Sequence, residues 1–250
     1  MNWSSRQSPA SPASTGSSGS AAPARAAAQS RDGGRAPAGS APDTSVRRIS
    51  NGLKELLFQL DGVERGELLD LGAVSQATVD FFTSRGFRLH SHDVLRGWRE
   101  FLAEELDKPS RDPRSPKDPA VAAEEEDPSL RPARFFARHL WFDPGKFDGV
   151  LLWDTLDYLD PVMGAALVAR LAEVVRPGGA ALLHLHDKAP ERFLRYRVVD
   201  TQTLECVSAT APVAFQRAIP NREIMNLFHD FRTSKTFVGR DQIREVLFLR

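Results

Sequence analysis

The stretch "FDGVLLWDTLDYLDPVMGAALVARLAEVVRPGGAALLHLHD", residues 147–187, decides the fold. A short apolar run ends in Asp154, a long helical pattern follows, and a second apolar run ends in Asp187. A Pro-Gly-Gly sequence interrupts the helix, and we expect Gly178 and Gly179 to supply the positive φ of the turn. A strand, a helix and a strand of these lengths predict a right-handed βαβ unit with parallel strands.

The chain alternates in the same way on both sides of this stretch. Residues 67–94, "ELLDLGAVSQATVDFFTSRGFRLHSHDV", predict a strand, a helix ended by Gly86, and a second strand. A helix precedes them at "SNGLKELLFQLDG", with Ser50 or Asn51 as its N-cap. The last 30 residues contain a helical "NREIMNLFHDF" and a strand "QIREVLFLR". Together these patterns predict an α/β fold with a doubly wound, mostly parallel sheet.

Two segments lack this alternation. Residues 1–45 are rich in Ser, Ala, Pro, Gly and Arg and almost lack large apolar side chains, which predicts a disordered tail. Residues 109–132 are rich in Pro and in charges of both signs, which predicts a flexible surface insertion. We therefore expect one domain at 46–250 that carries this insertion.

The composition limits the possible partners and environment. Lys plus Arg and Asp plus Glu both number 33, so a net charge of zero gives no signal for nucleic acid. No apolar run is long enough to suggest a membrane span or a secretory signal. The single cysteine, Cys206, excludes an intrachain disulfide and a cysteine-rich zinc site. These features predict a cytoplasmic protein.

Four predicted strands end in acids, namely Asp70, Asp93, Asp154 and Asp187. Ligands of open parallel sheets bind beyond this edge, but a strand-end Asp often only caps the helix that follows. For Asp154 and Asp187 the capping interpretation is favoured. Asp93 lies 21 residues after Gly72, close to the interval of about 20 residues at which a second-strand acid binds ribose hydroxyls. The sequence therefore favours Asp93 as a ribose ligand.

The order of elements resembles that of class I S-adenosylmethionine-dependent methyltransferases. The resemblance is most specific where Phe147-Asp148-Gly149-Val150 and the turn Arg176-Pro177-Gly178-Gly179 match the family's pattern. It implies the family's doubly wound sheet with an antiparallel C-terminal strand, S-adenosylmethionine as cofactor, and methyl transfer to an acceptor that the sequence does not identify. No catalytic residue follows from the motifs, because positioning donor and acceptor is the fold's main contribution.

Carried over residue by residue, the resemblance implies a cofactor site on the first-strand loop and at the ends of the second and fourth strands. Its members are Asp70, Gly72, Ala73, Val74, Ser75, Asp93, Val94, Asp154 and Thr155. Asp70 and Gly72 match the family's first motif, whereas Val74 and Gln76 stand where it has glycines. A β-branched Val resists positive φ. Either the loop takes another path, with Ser75 and the following amides facing the cofactor, or binding is weak or absent.

Alternating histidines occur twice, His90 with His92 and His184 with His186. Two histidines on one strand face share a side and could bind a metal. In the family's strand order, however, the pairs are about 14 Å apart, so we interpret them as structural and predict no metal site. His186 could still face an acceptor pocket and act as a base.

The aromatic residues Trp141, Trp153 and Tyr158 could line an acceptor pocket, although simple core packing is the more common role of such residues. Three functions follow from these patterns. The first is a methyltransferase-like protein, and the second is a catalytically silent protein of the same fold that binds or regulates a partner. The third, a nicotinamide-dependent oxidoreductase, is disfavoured because its glycine-rich turn is missing.

Overall fold

The computed structural model describes residues 45–107, 127–239 and 241–250. The predicted tail lies outside these ranges except for Ser45, and so do residues 109–126 of the predicted insertion. Residues 128–132, which the sequence assigns to the flexible insertion, form a 3-10 turn and the start of a helix.

The described chain forms nine strands and six α-helices. The strands are β1 Ser45–Ile49, β2 Glu67–Asp70, β3 Arg88–Ser91, β4 Phe147–Trp153, β5 Val175–His186, β6 Phe193–Val198, β7 Thr203–Ala209, β8 Thr233–Val238 and β9 Ile243–Leu249. The helices are α1 Asn51–Gln59, α2 Gln76–Thr83, α3 Val94–Asp107, α4 Arg131–His139, α5 Pro161–Val174 and α6 Asn221–Leu227. Short 3-10 helices cover Pro128–Leu130 and Thr155–Tyr158.

Six strands form the main sheet in the order β3-β2-β4-β5-β9-β8. The first four are parallel, and β9 runs antiparallel to both β5 and β8. Neighbouring residues of β5 belong to different cores: Leu182 packs with α1 and α2, and Leu183 packs with α3 to α6. Helices therefore cover both faces, and the predicted doubly wound fold with an antiparallel C-terminal strand is confirmed.

The helix boundaries follow from local chemistry. The Ser50 side chain accepts a hydrogen bond from the Leu53 N–H and caps α1, as predicted. Gly86 has φ +87° and the Phe87 N–H bonds to the Phe82 carbonyl, so α2 ends in a Schellman-type turn. Asp160 caps α5 through the N–H groups of the helix's first turn.

The two motifs that carry the family resemblance meet in space. Asp148 accepts a hydrogen bond from the Glu67 N–H at 2.6 Å and pairs with Arg176, also at 2.6 Å. The acid thus connects β4 to the start of β2 and to the turn before the buried part of β5. Gly178 has φ +84° as expected, but the expectation for Gly179 is wrong. At Gly179 there is no room for a side chain, because an added Cβ would lie 2.9 Å from the Arg176 carbonyl oxygen.

A second sheet of three antiparallel strands, β1-β7-β6, was not predicted. Its hairpin packs on the α1 and α2 side through Tyr196, Val198, Leu204 and Cys206. The Val198 N–H donates to Thr78 of α2 at 3.0 Å, which fixes the hairpin against the main sheet. No helix within the described ranges is long and apolar enough to cross a membrane.

Candidate functional site

The winding direction of the main sheet reverses between β2 and β4, since the chain moves outward from β2 to β3 and then returns to β4. The carboxyl ends of strands at such a reversal form the usual ligand crevice of open α/β sheets. A crevice is present here, and we call it the strand-edge cleft. Five of the nine predicted site residues line it: Gly72, Ala73, Asp93, Asp154 and Thr155.

The other four predicted residues are placed elsewhere. Asp70 lies behind the cleft and is 2% exposed, and Val94 is fully buried in the core. Val74 is 68% exposed to solvent. Ser75 precedes α2 with an extended backbone (φ −131°), and its side chain makes no capping hydrogen bond. None of these four lines the cleft, so the cofactor assignment of their side chains finds no support in the geometry.

The loop after β2 has no residue with positive φ, the backbone conformation that Val74 resists. Residues 72–76 are absent from the described residues with positive φ. Val74 therefore avoids a positive φ, and Ser75, which would face the cofactor in the alternative path predicted from the sequence, does not line the cleft. The loop turns the Val74 side chain outward, so this residue does not obstruct the cleft.

The obstruction comes from Trp153, the last residue of β4. Its ring is 4% exposed, donates a hydrogen bond from Nε1 to Oδ1 of Asp70 at 2.7 Å, and stacks on Tyr196 with centroids 5.3 Å apart. A Cβ added at Gly72 would lie 2.6 Å from Cδ1 of Trp153. In this structure the glycine of the first-strand motif therefore leaves room for the indole.

The cleft has little free space as a result. Its volume is about 20 Å³, enough for about one water molecule, whereas small-molecule sites usually offer about 300–1,000 Å³. Trp153 also has φ 53°, a left-handed conformation that is strained for a large residue. Such strain costs about 1–3 kcal/mol and persists only where surrounding contacts hold it. Asp70 and Tyr196 supply those contacts.

Asp93 lines the cleft and also caps a helix. Its Oδ1 accepts a hydrogen bond from the Arg96 N–H at 3.0 Å, in the first turn of α3. Its other oxygen makes no hydrogen bond to the described residues. Asp93 therefore lines the cleft with one carboxylate oxygen that makes no hydrogen bond to the described residues.

Two buried carboxyl groups flank Trp153. Burial raises the pKa of Asp70 to about 6, against the effect of hydrogen bonds from Trp153 and Gly72. Burial likewise raises the pKa of Asp154 to about 7, opposed by the charge of His186. Tyr196 lies 3.4 Å from Oδ2 of Asp154 through its hydroxyl group. This end of β4 is therefore a dry, titratable environment.

A third carboxyl group, Asp157, fixes His186 at the end of β5. The Oδ2 atom of Asp157 is 2.7 Å from the His186 backbone nitrogen and 3.0 Å from its Nδ1. Burial opposes charge on His186, but this hydrogen bond and the charges of Asp154 and Asp157 raise its pKa above the ordinary value. Asp154 lies 3.8 Å from the same ring nitrogen. The arrangement could hold or release a proton.

His186 also lines a second cavity at this edge, which we call the β5-end cavity. Its walls are His186, residues 188–192 and Leu194, and residues 241–243, and its volume is about 370 Å³. Asp187, the fourth strand-end acid, binds Nε of Arg244 at 2.6 Å and joins β5 to β9. For Asp187 the predicted helix cap is therefore wrong, and so it is for Asp154, whose side chain makes no capping bond.

The remaining histidines have separate environments. His90 binds Glu67 at the start of β2, and His92 faces His139 of α4 with ring centroids 5.5 Å apart. His184 is fully buried, its ring nitrogens find no hydrogen-bond partner, and burial lowers its pKa. Two strands separate the pairs, as the strand order predicts.

Several lining residues of the strand-edge cleft and the β5-end cavity were not predicted from the sequence. Tyr196, which closes the cleft, lies on a hairpin whose alternating Leu194, Tyr196 and Val198 are a strand signal. Of the aromatic candidates, Trp153 lines the cleft, Tyr158 is 3% exposed in the core, and Trp141 is 75% exposed.

No model of a known protein family matches the chain, and no curated protein is similar to it in sequence.

Several solved structures resemble it distantly. A 1,6-didemethyltoxoflavin-N1-methyltransferase from Burkholderia thailandensis, solved with S-adenosylhomocysteine, is 16% identical over 79% of this chain and 74% of that chain, with a TM-score of 0.38. The glycopeptide N-methyltransferase MtfA, also with S-adenosylhomocysteine, is 18% identical over 80% and 87%, with a TM-score of 0.38. A SAM-dependent methyltransferase from Methanosarcina mazei is 14% identical over 75% and 93%, again at 0.38. At these identities and scores the similarity carries no argument about residues or substrate.

Proposed function

We propose that this chain is a methyltransferase-like protein that binds S-adenosylmethionine in the strand-edge cleft and transfers its methyl group to an acceptor. One observation carries the proposal. At the reversal of a sheet with the predicted topology, the cleft brings together Gly72, the second-strand acid Asp93 and the fourth-strand acid Asp154. A free carboxylate oxygen on Asp93 suits a ribose hydroxyl.

Binding at this position requires Trp153 to move. The ring is held by a hydrogen bond to Asp70, by the stacked Tyr196 ring and by the edge-on His184 ring, and its backbone is strained. Release of that strain would offset part of the opening cost. Each 1.4 kcal/mol of free energy still needed to move Trp153 out of the cleft weakens the apparent affinity about tenfold. We therefore expect weaker binding by the natural chain than by a variant whose cleft is already open.

A second function is favoured by a different observation. The volume of about 20 Å³ supports a catalytically silent protein whose cofactor position is filled by its own side chains. In that case the fold presents a surface or the β5-end cavity to another molecule, and methyl transfer is absent.

Calorimetric titration of the purified chain with S-adenosylmethionine, and separately with NAD, tests both proposals. Saturable binding of S-adenosylmethionine by the natural chain, tightened about tenfold or more in Trp153→Ala, supports the gated methyltransferase. Binding by Trp153→Ala alone supports the silent protein. If neither chain binds S-adenosylmethionine, this sheet edge is not an adenosyl site. Tighter binding of NAD than of S-adenosylmethionine would favour the nicotinamide-dependent oxidoreductase.

Asp93→Asn sharpens the test. Asparagine caps helices as well as aspartate does, so α3 is preserved while the negative charge is lost. We expect the affinity for S-adenosylmethionine to fall about tenfold. Asp61→Asn, an exposed substitution of the same kind, is the matched control. Equal affinity in both variants would contradict the ribose assignment of Asp93.

A further inference from the structure

The β5-end cavity combines free volume with unpaired charge. Its volume of about 370 Å³ falls in the range of small-molecule sites. Lys188 and Arg192 contribute to its wall, and neither makes a hydrogen bond or an ion pair with the described residues. Two cationic side chains without partners can receive an anionic group directly.

Two of the acids near the cavity have cationic partners. Asp241 is paired at 3.0 Å with Arg48, which also pairs with Glu245 at 2.9 Å, and Asp157 is engaged by His186. Glu191 is the remaining anionic side chain of the wall, against Lys188 and Arg192. The unpaired groups therefore sum to one positive charge.

His186 adds a fixed polar group to the wall. Its Nδ1 is hydrogen-bonded to Asp157, which sets the plane of the ring. Its Nε2 makes no hydrogen bond with the described residues. The residue as a whole is only 5% exposed. A ligand in the cavity would thus meet an imidazole ring of fixed orientation.

We propose that the β5-end cavity binds a small molecule that carries a carboxylate or a phosphate group, held by Lys188 and Arg192 against the ring of His186. This site is separate from the strand-edge cleft, although Leu194 borders both. The proposal concerns binding alone and does not depend on methyl transfer.

The test uses the full chain labelled with ¹⁵N-histidine and follows the His186 ring nitrogens by NMR, with His186→Gln to assign the signal. The probes are malonate and inorganic phosphate, with malonamide as the uncharged counterpart of malonate. We expect a saturable shift of the His186 signal with malonate, with phosphate, or with both, and none with malonamide. The anion that binds more tightly identifies the group that the site prefers.

Charge variants locate the site. Lys188→Gln with Arg192→Gln should weaken binding of the preferred anion about tenfold or more. Lys54→Gln with Arg65→Gln removes the same charge from exposed positions far along the sequence and should change the affinity less than about twofold. The proposal is overturned if neither anion gives a saturable shift, if malonamide binds as well as malonate, or if both double variants weaken binding equally. Since no S-adenosylmethionine is present, the outcome is independent of the proposed function.

Discussion

The strand-edge cleft and the β5-end cavity lie at the same edge of the same sheet, yet they differ in every property that matters for binding. The cleft has most of the expected residues but a volume of only about 20 Å³. The cavity has a volume of about 370 Å³, and of its lining residues only His186 was a candidate from the sequence, as a base in an acceptor pocket. The cleft is closed by the stacked rings of Trp153 and Tyr196, whereas the cavity wall includes Lys188 and Arg192, which make no ion pair with the described residues.

This difference suggests that one part of the sheet edge serves stability and the other serves ligand binding. Rings that fill the cleft contribute apolar burial to the fold, while exposed charges around the cavity contribute little. Closure of the cleft should therefore stabilise the protein at the expense of binding, and the cavity walls should be nearly neutral for stability. Four variants, the last a double substitution, test this contrast.

Trp153→Ala should have the largest effect. The ring is 4% exposed, and truncating a buried Trp costs about 3–5 kcal/mol of unfolding free energy. Urea denaturation followed by circular dichroism measures the loss. A loss below about 1 kcal/mol would mean that the ring does not support the fold, and the contrast with the cavity would disappear.

Asp70→Asn should change the pH dependence of stability. The folded pKa of about 6 lies above the ordinary 3.8 because the carboxyl is buried. The folded state therefore binds the proton more tightly, and this contribution is fully present below about pH 4 and lost as the pH rises through about 6. At about 1.4 kcal/mol per pH unit, the natural chain should lose about 3 kcal/mol relative to Asp70→Asn over that window.

Urea denaturation at several pH values compares the two chains, with Asp61→Asn as the exposed control. Parallel stability curves for the natural chain and Asp70→Asn would show that Asp70 does not titrate as its burial implies.

Tyr196→Phe should have a small effect. The stack on Trp153 is retained, and only the hydroxyl contact to Asp154, at a long 3.4 Å, is lost. We expect the free energy of unfolding to change by less than about 1 kcal/mol. A larger loss in urea denaturation would assign the closure of the cleft to the polar contact instead of the ring.

The pair Lys188→Gln and Arg192→Gln should have the smallest effect on stability, within about 0.5 kcal/mol. Both side chains are exposed and unpaired among the described residues. Thermal unfolding of the double variant measures this. A clear destabilisation would show that these charges serve the fold, and their availability to a ligand would be in doubt.

The main sheet was predictable because its signals are local. Apolar runs such as "FDGVLLW" mark buried strands, and Ser50, Gly86 and the Pro-Gly-Gly turn mark helix ends. The small sheet was missed although β6 alternates and pairs with its neighbour β7 in a local hairpin, because the third strand, β1, pairs with β7 from about 160 residues earlier in the chain. Pairing over such distances leaves no local pattern.

The position of the candidate site could be predicted from the sequence, but the closure of the cleft by Trp153 could not. Strand-end acids follow from the strand pattern, so Asp93 and Asp154 were found. The role of Trp153 depends on a hydrogen bond to Asp70, 83 residues away, and on a left-handed backbone. Val74 and Gln76 are visible in the sequence as departures from the motif, but the side chain that fills the cleft is that of Trp153, and the Val74 side chain points outward.

The position of Trp153 gives the molecule an optical reporter of its own state. Its indole is sandwiched among Asp70, Tyr196 and His184, so displacement into water would shift its fluorescence to longer wavelength. The other tryptophans, Trp3, Trp98 (6% exposed) and Trp141 (75% exposed), would contribute a background that the Trp153→Ala variant measures. The emission spectrum therefore reports, without any label, whether the Trp153 indole moves into water when a ligand is added.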